Sequence, residues 1–573
     1  MLRRSLLFLF TLFSVQLLAT DSIPVNYFKA PVDIPLFLAG NFGEIRTNHF
    51  HAGLDIKTQG RIGIPIKACN EGYVSRIKVS LKGYGKVIYV DHPNGYTTVY
   101  AHLDRFSEKI EAFVKKKQYE AQSFVIELFP SEGDLAVEAS ELIAYSGNTG
   151  GSTAPHLHFE IRETLSEMPV NPLLFGFNIK DNIAPEIARL AIYPLNSVSS
   201  VNGKSENLYL KCIKSNGKWR LATNEAIKLS GKIGFGVETI DRLNGVPNRN
   251  GIYQIALFKD NKLAFQHEMT KFHFDETRYI HSHVDYRYWK EKGPRVQRCY
   301  LEDGNQLSTY KNLVNRGQLF FIDSAKHQIE LRIKDTYGNQ SSLSFEVQSY
   351  PKSELKRRLN VKGELVSNGQ AKIIENQGLR LHLSEKSLYA PAYFKISSEA
   401  PIGRAVSPIY KIEDPYTPLH EYCKLQIVMD SLIPKRKEHY VLCYLNGKKS
   451  FKKSFATQSK GDTLEAEIRD LGYYTVMIDS LSPSLKNINF SNESTVSSLK
   501  KLKLKTSDKL SDIQKFDAYL DGEWVLMEFD KKYGNLSIAQ TELKAFPKGA
   551  HILAIEVSDI CGNQVRKEFK IRL

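Results

Sequence analysis

The stretch SGNTGGSTAPHLHFEIR, residues 146–162, places two histidines one residue apart, directly after a loop rich in glycine and serine. Side chains alternate between the two faces of a β-strand, so His156, His158 and Glu160 would share one face. The apolar residues between them would share the other face and anchor the strand in a core. Such a pair can supply a metal ligand and a catalytic base, two metal ligands, or two ordinary surface imidazoles. The choice between these readings depends on ligands elsewhere in the chain.

A second group of possible ligands lies upstream, in HAGLD at residues 51–55. His51 and Asp55 can converge on one ion from a strand and the turn beside it, and imidazole nitrogen and carboxylate oxygen both suit Zn²⁺. With one histidine of the later pair they make three protein ligands and leave a fourth position for water, which is the form of a catalytic zinc site. A closed structural site would more often use cysteines, and none is nearby. YAHL, residues 100–103, adds a further imidazole, His102, at the end of a predicted strand.

The sequence around these motifs is punctuated by glycine and rich in β signals from about residue 36 to 177. Residues 87–90 and 97–102 predict the two strands of a hairpin, with Asn94-Gly95 as its turn. One segment differs, because apolar residues recur at helical spacing between residues 106 and 122 and predict an amphipathic helix.

Four motifs together resemble the lysostaphin/LytM-type zinc metallopeptidases, peptidase family M23, which are bacterial endopeptidases that cut peptidoglycan cross-links. The motifs are FG at 42–43, HAGLD at 51–55, YAHL at 100–103 and SGNTGGSTAPHLHFEI at 146–161. The resemblance covers about a quarter of the chain, and it implies the duplicated hybrid motif fold, an antiparallel β-rich architecture like an open barrel or sandwich.

The resemblance implies one zinc ion held by His51, Asp55 and His158, with catalytic imidazoles at His102 and His156. All five positions carry the expected residue. Zinc polarises a peptide carbonyl and lowers the pKa of bound water to about 7. No helix-borne H-E-x-x-H glutamate is present, so imidazoles are the candidates for proton transfer. We expect His156 to act as general base and His102 to stabilise the oxyanion, although the two roles can be exchanged.

Some nearby residues carry weaker expectations. We expect His49 to be structural or to support a ligand, Glu160 to orient a ligand, and His92 to be a solvated loop residue. The Ser146–Thr153 loop is expected to give backbone flexibility beside the site, and a plain hairpin loop fits it equally well. The spacer after His102 is longer than is usual in the family, so its helix and the following strand are expected to wall or cap the cleft.

The N-terminus predicts export. Residues 1–20, MLRRSLLFLFTLFSVQLLAT, contain two arginines, an apolar run and a small residue at a plausible cleavage point. The apolar run is shorter than the ~20 residues of a spanning helix, so cleavage after residue 19 is favoured over a membrane anchor. No cysteine lies near that point, which argues against a lipoprotein. We therefore expect a periplasmic or secreted protein with no stable membrane insertion after cleavage.

Composition limits the remaining classes of function. The chain has 573 residues, too many for one core, and a net charge of +15 that suits anionic partners such as cell-envelope polymers. No stripe of lysine and arginine with interleaved aromatics stands out, so nucleic acid is not an expected partner. The six cysteines show no C-x-x-C spacing. Cys423 and Cys443 could form a disulfide, and buried free thiols are an equal alternative.

The rest of the chain contains a repeat. DNIAPEI at residue 181 matches DSLSPSL at residue 479, and HQIELRIKDTYGNQ at residue 327 matches HILAIEVSDICGNQ at residue 551. These matches predict two related β-sandwich modules, the first with an insertion. His327 and His551 are expected to start strands rather than to bind metal. The predicted fold class is mainly β, with two or three immunoglobulin-like sandwiches after the metallopeptidase domain.

This interpretation divides the chain into five segments: 1–19 signal peptide, 20–180 metallopeptidase domain with an insertion at about 106–130, 181–350 sandwich module, 351–478 β domain, and 479–573 related sandwich module. The predicted function is exported zinc endopeptidase activity on peptidoglycan stem peptides or cross-links. Two alternatives remain: a non-catalytic murein-binding or hydrolase-activating scaffold, and a peptidase of envelope proteins that are bound by the C-terminal β domains. The complete ligand set favours the enzyme, since lost ligands are typical of scaffold members.

Overall fold

The computed structural model describes residues 23–351, 363–429 and 438–573. The predicted signal peptide, residues 1–19, lies outside this part of the chain. Among the helices of the described residues, none has both the length and the apolar character that a bilayer-spanning segment requires.

The N-terminal sheet has eleven strands, paired in antiparallel fashion. Seven follow one another across the sheet in the order Leu38–Gly40, Leu54–Lys57, His156–Glu163, Tyr96–Phe106, Lys86–Asp91, Gly72–Val79 and Ile126–Leu128. Four short strands pair beside this path: Pro65–Lys67, Ala136–Val137, Leu142–Ser146 and Pro169–Val170.

The strand His156–Glu163 lies at the centre of this sheet, between Leu54–Lys57 and Tyr96–Phe106. In its register, His158 is opposite Asp55 on one side and Ala101 on the other. Leu157, Phe159 and Ile161 of the same strand are fully buried in the core. The alternation expected from the sequence is therefore present, and it brings the polar face next to the HAGLD and YAHL motifs.

The predicted hairpin and helix are both present. The strands Lys86–Asp91 and Tyr96–Phe106 form the hairpin, and the helix runs over Glu108–Ala121. Ile110 and Val114 are buried because the apolar side of the helix packs on the sheet. A 3₁₀ turn, Pro172–Phe175, closes this region.

Module A, residues 181–349, contains a twelve-stranded sheet. Its helical segments are Asp275–Tyr279 (3₁₀), Ile280–His283, Tyr286–Lys292 and Asn315–Gly317 (3₁₀). Its strands are Glu186–Pro194, Ser200–Val201, Leu208–Ser215, Lys218–Leu221, Ile227–Ile240, Gln254–Lys259, Lys262–Glu268, Gln297–Arg298, Tyr310–Leu313, Leu319–Phe321, Lys326–Lys334 and Gln340–Ser349.

The middle region, residues 363–478, contains two sheets around one core. The six-stranded sheet consists of Glu364–Val366, Ala392–Glu399, Ile409–Glu413, Tyr473–Ile478, Tyr440–Leu445 and Phe451–Ser454. The five-stranded sheet consists of Lys372–Asn376, Leu379–Leu383, Cys423–Val428, Thr463–Ile468 and Gln458–Lys460.

Module B, residues 479–572, also packs two sheets around a core and has one short helix, Gln540–Leu543. The four-stranded sheet consists of Ser484–Asn487, Lys501–Ser507, Asn535–Ala539 and Glu528–Asp530. The five-stranded sheet consists of Ser494–Thr495, Gln564–Arg572, Ala550–Asp559, Ile513–Leu520 and Glu523–Val525. The mainly β fold class is thus confirmed, whereas the exact domain limits stay a prediction.

The two modules repeat one another in their contacts as well as in sequence. His327 and His551 each stand second in a strand, as expected. His327 Nδ1 lies 2.7 Å from Asp260 Oδ2, and His551 Nδ1 lies 2.6 Å from Asp521 Oδ2. Both aspartates occupy the turn of a hairpin, so the same imidazole–carboxylate contact holds the same turn in each module.

All six cysteines are buried free thiols. Cys423 and Cys443 do not form a disulfide, so the thiol alternative is the one present. Cys443 instead packs in an apolar cluster with Cys561 of module B.

Candidate metal centre

Three side chains converge on one point between the strands of the N-terminal sheet. His51 Nε2 lies 2.9 Å from Asp55 Oδ1, His158 Nδ1 lies 3.0 Å from the same oxygen, and the two nitrogens are 3.0 Å apart. All three residues are buried. Ligands of a tetrahedral zinc ion stand about 3.3 Å apart, so a shift of a few tenths of an ångström would admit the ion. The structure therefore brings together the three residues that the sequence indicated as ligands.

The glycine of the HAGLD motif, Gly53, is required by the close approach of the neighbouring strand. A Cβ atom on Gly53 would lie 2.3 Å from the carbonyl oxygen of Phe159, on the neighbouring strand. Only glycine lets the two strands approach this closely. The approach places Asp55 opposite His158, while the backbone of His51 is fixed by hydrogen bonds with Gly43 and Glu44.

The tautomers of the two ligand imidazoles are set by hydrogen bonds on their far sides. His51 Nδ1 donates to the carbonyl of Asn41 at 2.7 Å, and His158 Nε2 donates to Glu160 Oε1 at 2.7 Å. The nitrogens that face the shared point are therefore free to bind a cation. Glu160 is itself held by Arg162 Nε at 2.7 Å and by the hydroxyl of Tyr84. The expectation that Glu160 orients a ligand agrees with these contacts.

The charges around this point favour a cation. Burial would raise the pKa of Asp55, but the imidazoles of His51, His156 and His158 outweigh burial and hold it well below its usual range. Burial would likewise lower the pKa of His158, but the Asp55 and Glu160 carboxylates raise it to about 9. Both shifts have the same cause, because the imidazoles and carboxylates around this point stabilise one another's charged forms.

Two more imidazoles lie beside the three ligand atoms. His156 Nδ1 donates to the carbonyl of Ala154 at 2.8 Å, and its Nε2 lies 3.4 Å from Asp55 Oδ1. His102 Nδ1 donates to the carbonyl of Thr149 at 2.9 Å, and its ring centroid is 4.8 Å from that of His156. With Nδ1 as the donor in both rings, each Nε2 carries a lone pair that can accept a proton.

The backbone of His102 is strained. Its φ is 60°, in the left-handed region that non-glycine residues rarely adopt, and the pairing register shifts between Leu103 and Arg105. Such a conformation costs on the order of 1–3 kcal/mol and persists only where the surroundings fix it. Here the backbone N–H of His102 donates to the carbonyl of Tyr84 at 2.9 Å. The strand pattern of the sequence gave no sign of this irregularity.

The loop before His156, for which a flexible loop and a plain hairpin loop were equally expected, contacts several neighbouring segments. A Cβ atom on Gly150, whose φ is +68°, would lie 2.4 Å from the carbonyl oxygen of Gly83. Thr149 Oγ1 donates to the carbonyl of Leu103 at 2.9 Å. Lys532 of module B reaches the same loop and donates to the carbonyl of Ser152 at 2.9 Å.

Three residues that sequence reasoning did not single out contact the site. Arg46 donates to Asp55 Oδ2 at 2.8 Å, while Tyr84 and Arg162 hold Glu160. Only Arg162 had a usable sequence signal, because it continues the two-residue period of H-L-H-F-E-I-R.

Two other histidines near the motifs differ in their exposure to solvent. His92 is buried and bonds the carbonyl of Glu71 at 2.7 Å and Thr98 Oγ1 at 2.8 Å, so its expected solvation is wrong. His49 is exposed, and its carbonyl accepts a hydrogen bond from the backbone of Arg46.

Comparison with known proteins agrees with this geometry. Residues 49–123 match the model of Peptidase family M23, and residues 363–479 match that of a Zu5-like domain. The chain thus contains an M23 peptidase domain whose matched residues include His51 and Asp55, and a Zu5-like domain further along the chain; His158 lies after the matched M23 residues.

Several curated relatives resemble the N-terminal region. The DD-carboxypeptidase/endopeptidase Mpg of Neisseria meningitidis serogroup B is 33% identical over 129 residues, which are 22% of this chain and 23% of that protein. The glycyl-glycine endopeptidase ALE-1 of Staphylococcus capitis is 30% identical over 168 residues, 29% of this chain and 37% of that protein. The murein hydrolase activator NlpD of Salmonella typhimurium is 30% identical over 156 residues, 27% of this chain and 33% of that protein.

The solved structures that were found to be similar each cover a small part of the chain. The catalytic domain of lysostaphin from Staphylococcus simulans is 25% identical, with a TM-score of 0.18, over 24% of this chain and 87% of that domain. The chain spans about a quarter of the length of Mpg.

Proposed function

We propose that this protein is a zinc-dependent endopeptidase that hydrolyses peptide bonds in the stem peptides or cross-links of peptidoglycan. The observation that carries the proposal is the convergence of His51 Nε2, Asp55 Oδ1 and His158 Nδ1 within 3.0 Å of one another, beside two further imidazoles.

The donor set fits zinc. Two neutral imidazole nitrogens and one carboxylate oxygen are common zinc ligands, and three protein ligands leave one position for solvent or substrate. When bound, zinc polarises the peptide carbonyl and acidifies a water molecule. Glu160 accepts a hydrogen bond from His158 Nε2 and the carbonyl of Asn41 accepts one from His51 Nδ1, so the other nitrogen of each ring faces the position that a metal ion would take.

The two remaining imidazoles are assigned to proton transfer and to stabilisation of the oxyanion. We assign the general base to His156, because its Nε2 lies 3.4 Å from a ligand oxygen and therefore close to the reacting water. Once protonated there, the ring can return the proton to the leaving amine. His102, whose ring is 4.8 Å from that of His156, is assigned to the developing oxyanion, and the strained backbone that presents it supports a functional role.

The relatives support the substrate class. Mpg is named a DD-carboxypeptidase/endopeptidase and ALE-1 a glycyl-glycine endopeptidase, while NlpD is named a murein hydrolase activator. All three names agree with a role at peptidoglycan, and the full set of five histidine and aspartate residues supports hydrolysis by this chain itself. The N-terminal sequence supports export to the periplasm or the exterior of the cell.

The experiment uses residues 20–573, assayed for zinc content and for cleavage of defined cross-linked muropeptides, with product ends determined by mass spectrometry. We expect about one zinc per chain at the metal centre. His158→Ala and Asp55→Ala should lose both this zinc and cleavage. His156→Ala should keep the zinc and lose cleavage by a factor of about 10²–10⁴, as expected for removal of a general base.

His382→Ala, which changes a histidine of the middle region, serves as the matched control and should change neither quantity. Intact muropeptides in the presence of bound zinc would contradict the proposal and favour an activating scaffold. Cleavage of casein-like proteins with muropeptides spared would instead select a peptidase of envelope proteins.

A further inference from the structure

Each of the two sandwich modules contains a cluster of three aspartates at one end. Acidic cluster A consists of Asp181, Asp241 and Asp335, and acidic cluster B of Asp479, Asp508 and Asp559. Within each cluster, one carboxylate oxygen from every residue lies within 4.8 Å of the other two. In each cluster two of the three residues are buried and one is half-buried.

The clusters occupy equivalent positions in the fold. The first aspartate of each opens the repeated D-x-(I/L)-(A/S)-P motif, five residues before a strand begins. The second directly follows the strand Ile227–Ile240 in module A and Lys501–Ser507 in module B. The third opens the repeated D-x-x-G-N motif at the end of the strands Lys326–Lys334 and Ala550–Asp559. The same segment before a strand and the same two strand ends therefore supply the carboxylates in both modules.

The surrounding hydrogen bonds are also repeated. Asn339 Nδ2 donates to Asp335 Oδ2 at 2.7 Å and to the carbonyl of Asp181 at 3.3 Å. Asn563, at the same offset in module B, donates to the third aspartate of cluster B at 2.9 Å and to the carbonyl of the first at 3.0 Å. These contacts fix the orientation of the carboxylates but do not satisfy all of their oxygens.

Buried carboxylate oxygens without a partner remain in both clusters. Asp241 is 2% exposed, and its Oδ1 has no hydrogen-bond partner. Asp479 is 3% exposed, and its Oδ2 likewise has no hydrogen-bond partner. The backbone of Asn250 forms an isolated antiparallel β-bridge with that of Asp241, and the buried side-chain oxygen of Asn250 also has no hydrogen-bond partner. Native proteins pair nearly all buried polar atoms, so these oxygens point to a ligand that binds within each cluster.

The negative charge of the clusters is uncompensated. Among the ion pairs of the described residues, none involves any of the six aspartates. Burial raises the pKa of Asp241 to about 8, with further contributions from the carboxylates of Asp181 and Asp335. Burial and the other two carboxylates of cluster B likewise raise the pKa of Asp479. Three carboxylates this close repel one another strongly unless a cation lies between them.

We propose that each acidic cluster binds one calcium ion. An all-oxygen donor set suits a hard cation rather than zinc, for which imidazole or thiolate ligands are usual. Calcium takes oxygen ligands at 2.3–2.6 Å, so oxygens on opposite sides of the ion stand about 4.6–5.2 Å apart. Oxygens that lie no more than 4.8 Å apart can contact one such ion together, and calcium accepts an irregular arrangement of ligands better than magnesium does.

The position of the clusters suggests what the ions would do. Asp181 lies between the last turn of the N-terminal region, Pro172–Phe175, and the first long strand of module A, Glu186–Pro194. Asp479 directly follows the last strand of the middle region, Tyr473–Ile478. Each ion would tie the incoming chain to two strand ends of the module that follows, and would thereby stiffen a joint between neighbouring regions.

The test is a titration of residues 20–573 with calcium after treatment with EGTA. Binding is measured by isothermal titration calorimetry, and stability by the thermal unfolding midpoint. We expect about two calcium ions per chain and a midpoint that rises with calcium, because an ion bound only by the folded state stabilises it. Terbium separates the sites: Tyr337 lies beside cluster A, whereas Cys561 occupies the same position in module B. Tyrosine-sensitised terbium luminescence should therefore report cluster A.

Asp241→Asn and Asp479→Asn test one cluster each. Each should reduce the stoichiometry to one, with at least tenfold weaker binding at the altered cluster, and only Asp241→Asn should remove the terbium signal. Without calcium, each variant should unfold at or above the midpoint of the unaltered protein, because an amide replaces a buried carboxyl group whose ionisation burial and the neighbouring carboxylates disfavour. Asp303→Asn, an exposed aspartate of module A, is the charge-matched control and should change nothing.

Absence of calorimetric heat and of any midpoint shift up to millimolar calcium would overturn the proposal. A stoichiometry of two that persists in both variants would overturn it as well. Neither readout depends on peptidase activity, so this inference and the proposed function can fail separately.

Discussion

At the scale of single residues, the strand His156–Glu163 carries a row of ionisable side chains that begins at the candidate metal centre. Glu160 accepts from His158 Nε2 at 2.7 Å and from Arg162 Nε at 2.7 Å, and its side chain is fully buried. These three residues stand at a spacing of two, so the pleat of one strand aligns them on one face. The proposed metal ligand His158, its carboxylate partner and the counter-ion of that carboxylate are thus positioned by a single local structure.

Glu160→Gln should weaken zinc binding by about 10–100-fold, the usual effect of removing a charged partner of a ligand histidine. A glutamine oxygen can still accept the hydrogen bond, but it no longer carries the charge that makes the imidazole a stronger ligand. Zinc affinity is measured by competition with a chromophoric chelator. Glu163→Gln, on the same strand but paired with Lys271, is the control. Equal zinc affinity in the two variants would show that Glu160 has no part in metal binding.

At the scale of elements, the inserted helix Glu108–Ala121 joins two parts of the molecule. Its apolar side packs on the N-terminal sheet, while Lys115 and Tyr119 contact module B. Lys115 Nζ lies 2.6 Å from Glu542 Oε1, and the hydroxyl of Tyr119 donates to Glu542 Oε2 at 2.8 Å. That this insertion walls or caps the cleft stays a prediction, and its observed contacts attach module B to the N-terminal region.

Glu542→Gln should destabilise that attachment by about 1–3 kcal/mol, because it leaves the ammonium of Lys115 without its buried charge partner. The side chain of Glu542 is only 7% exposed, so solvent cannot replace the lost interaction fully. Urea unfolding followed by tryptophan fluorescence is informative here, since Trp524 packs against Tyr119 with ring centroids 5.3 Å apart. Glu120→Gln, which changes an exposed ion pair with Lys117 on the same helix, should leave the urea midpoint almost unchanged, because solvent screens such a surface pair.

If Glu542→Gln unfolds at the same urea concentration as Glu120→Gln, then this contact does not hold the two parts together.

At the scale of the whole molecule, module B packs against the peptidase region although the two are far apart in sequence. Glu528 of module B lies 2.7 Å from Lys86 Nζ and 2.6 Å from Lys501 Nζ. Burial would raise the pKa of Glu528, but the two ammonium groups outweigh burial and lower it to about 2. Lys86 also donates to the carbonyl of Asp104, so this ion pair lies against the strand that carries His102.

The Glu528 pair makes stability depend on acid pH. The pKa of this carboxyl falls from about 4.5 in the unfolded chain to about 2 in the folded protein. Its stabilising contribution is therefore complete above about pH 4.5 and disappears as the pH falls toward 2. Glu528→Gln should lower the thermal unfolding midpoint at pH 7, and the difference from the unaltered protein should shrink between pH 5 and pH 2. The exposed Glu523→Gln is the control. A difference that does not vary with pH would exclude this linkage.

Much of the fold could be predicted because the signals are local. The Asn94-Gly95 turn, the helical spacing after residue 106 and the alternation in HLHFEIR depend on neighbours along the chain, and all three correspond to the observed elements. His92 shows the limit, since it precedes a turn signal yet is buried by Glu71 and Thr98.

By itself, the sequence determined the mainly β fold, the repeat in modules A and B, and the motifs that the structure brings together at His51, Asp55 and His158. Periodicity and turn chemistry act over a few residues, so they can be seen in one dimension. Only the tertiary structure decided that Arg46 contacts Asp55, that module B holds the loop before His156, and that each repeat gathers three aspartates. These contacts join residues that are distant along the chain, and the packing of whole sheets sets their separations.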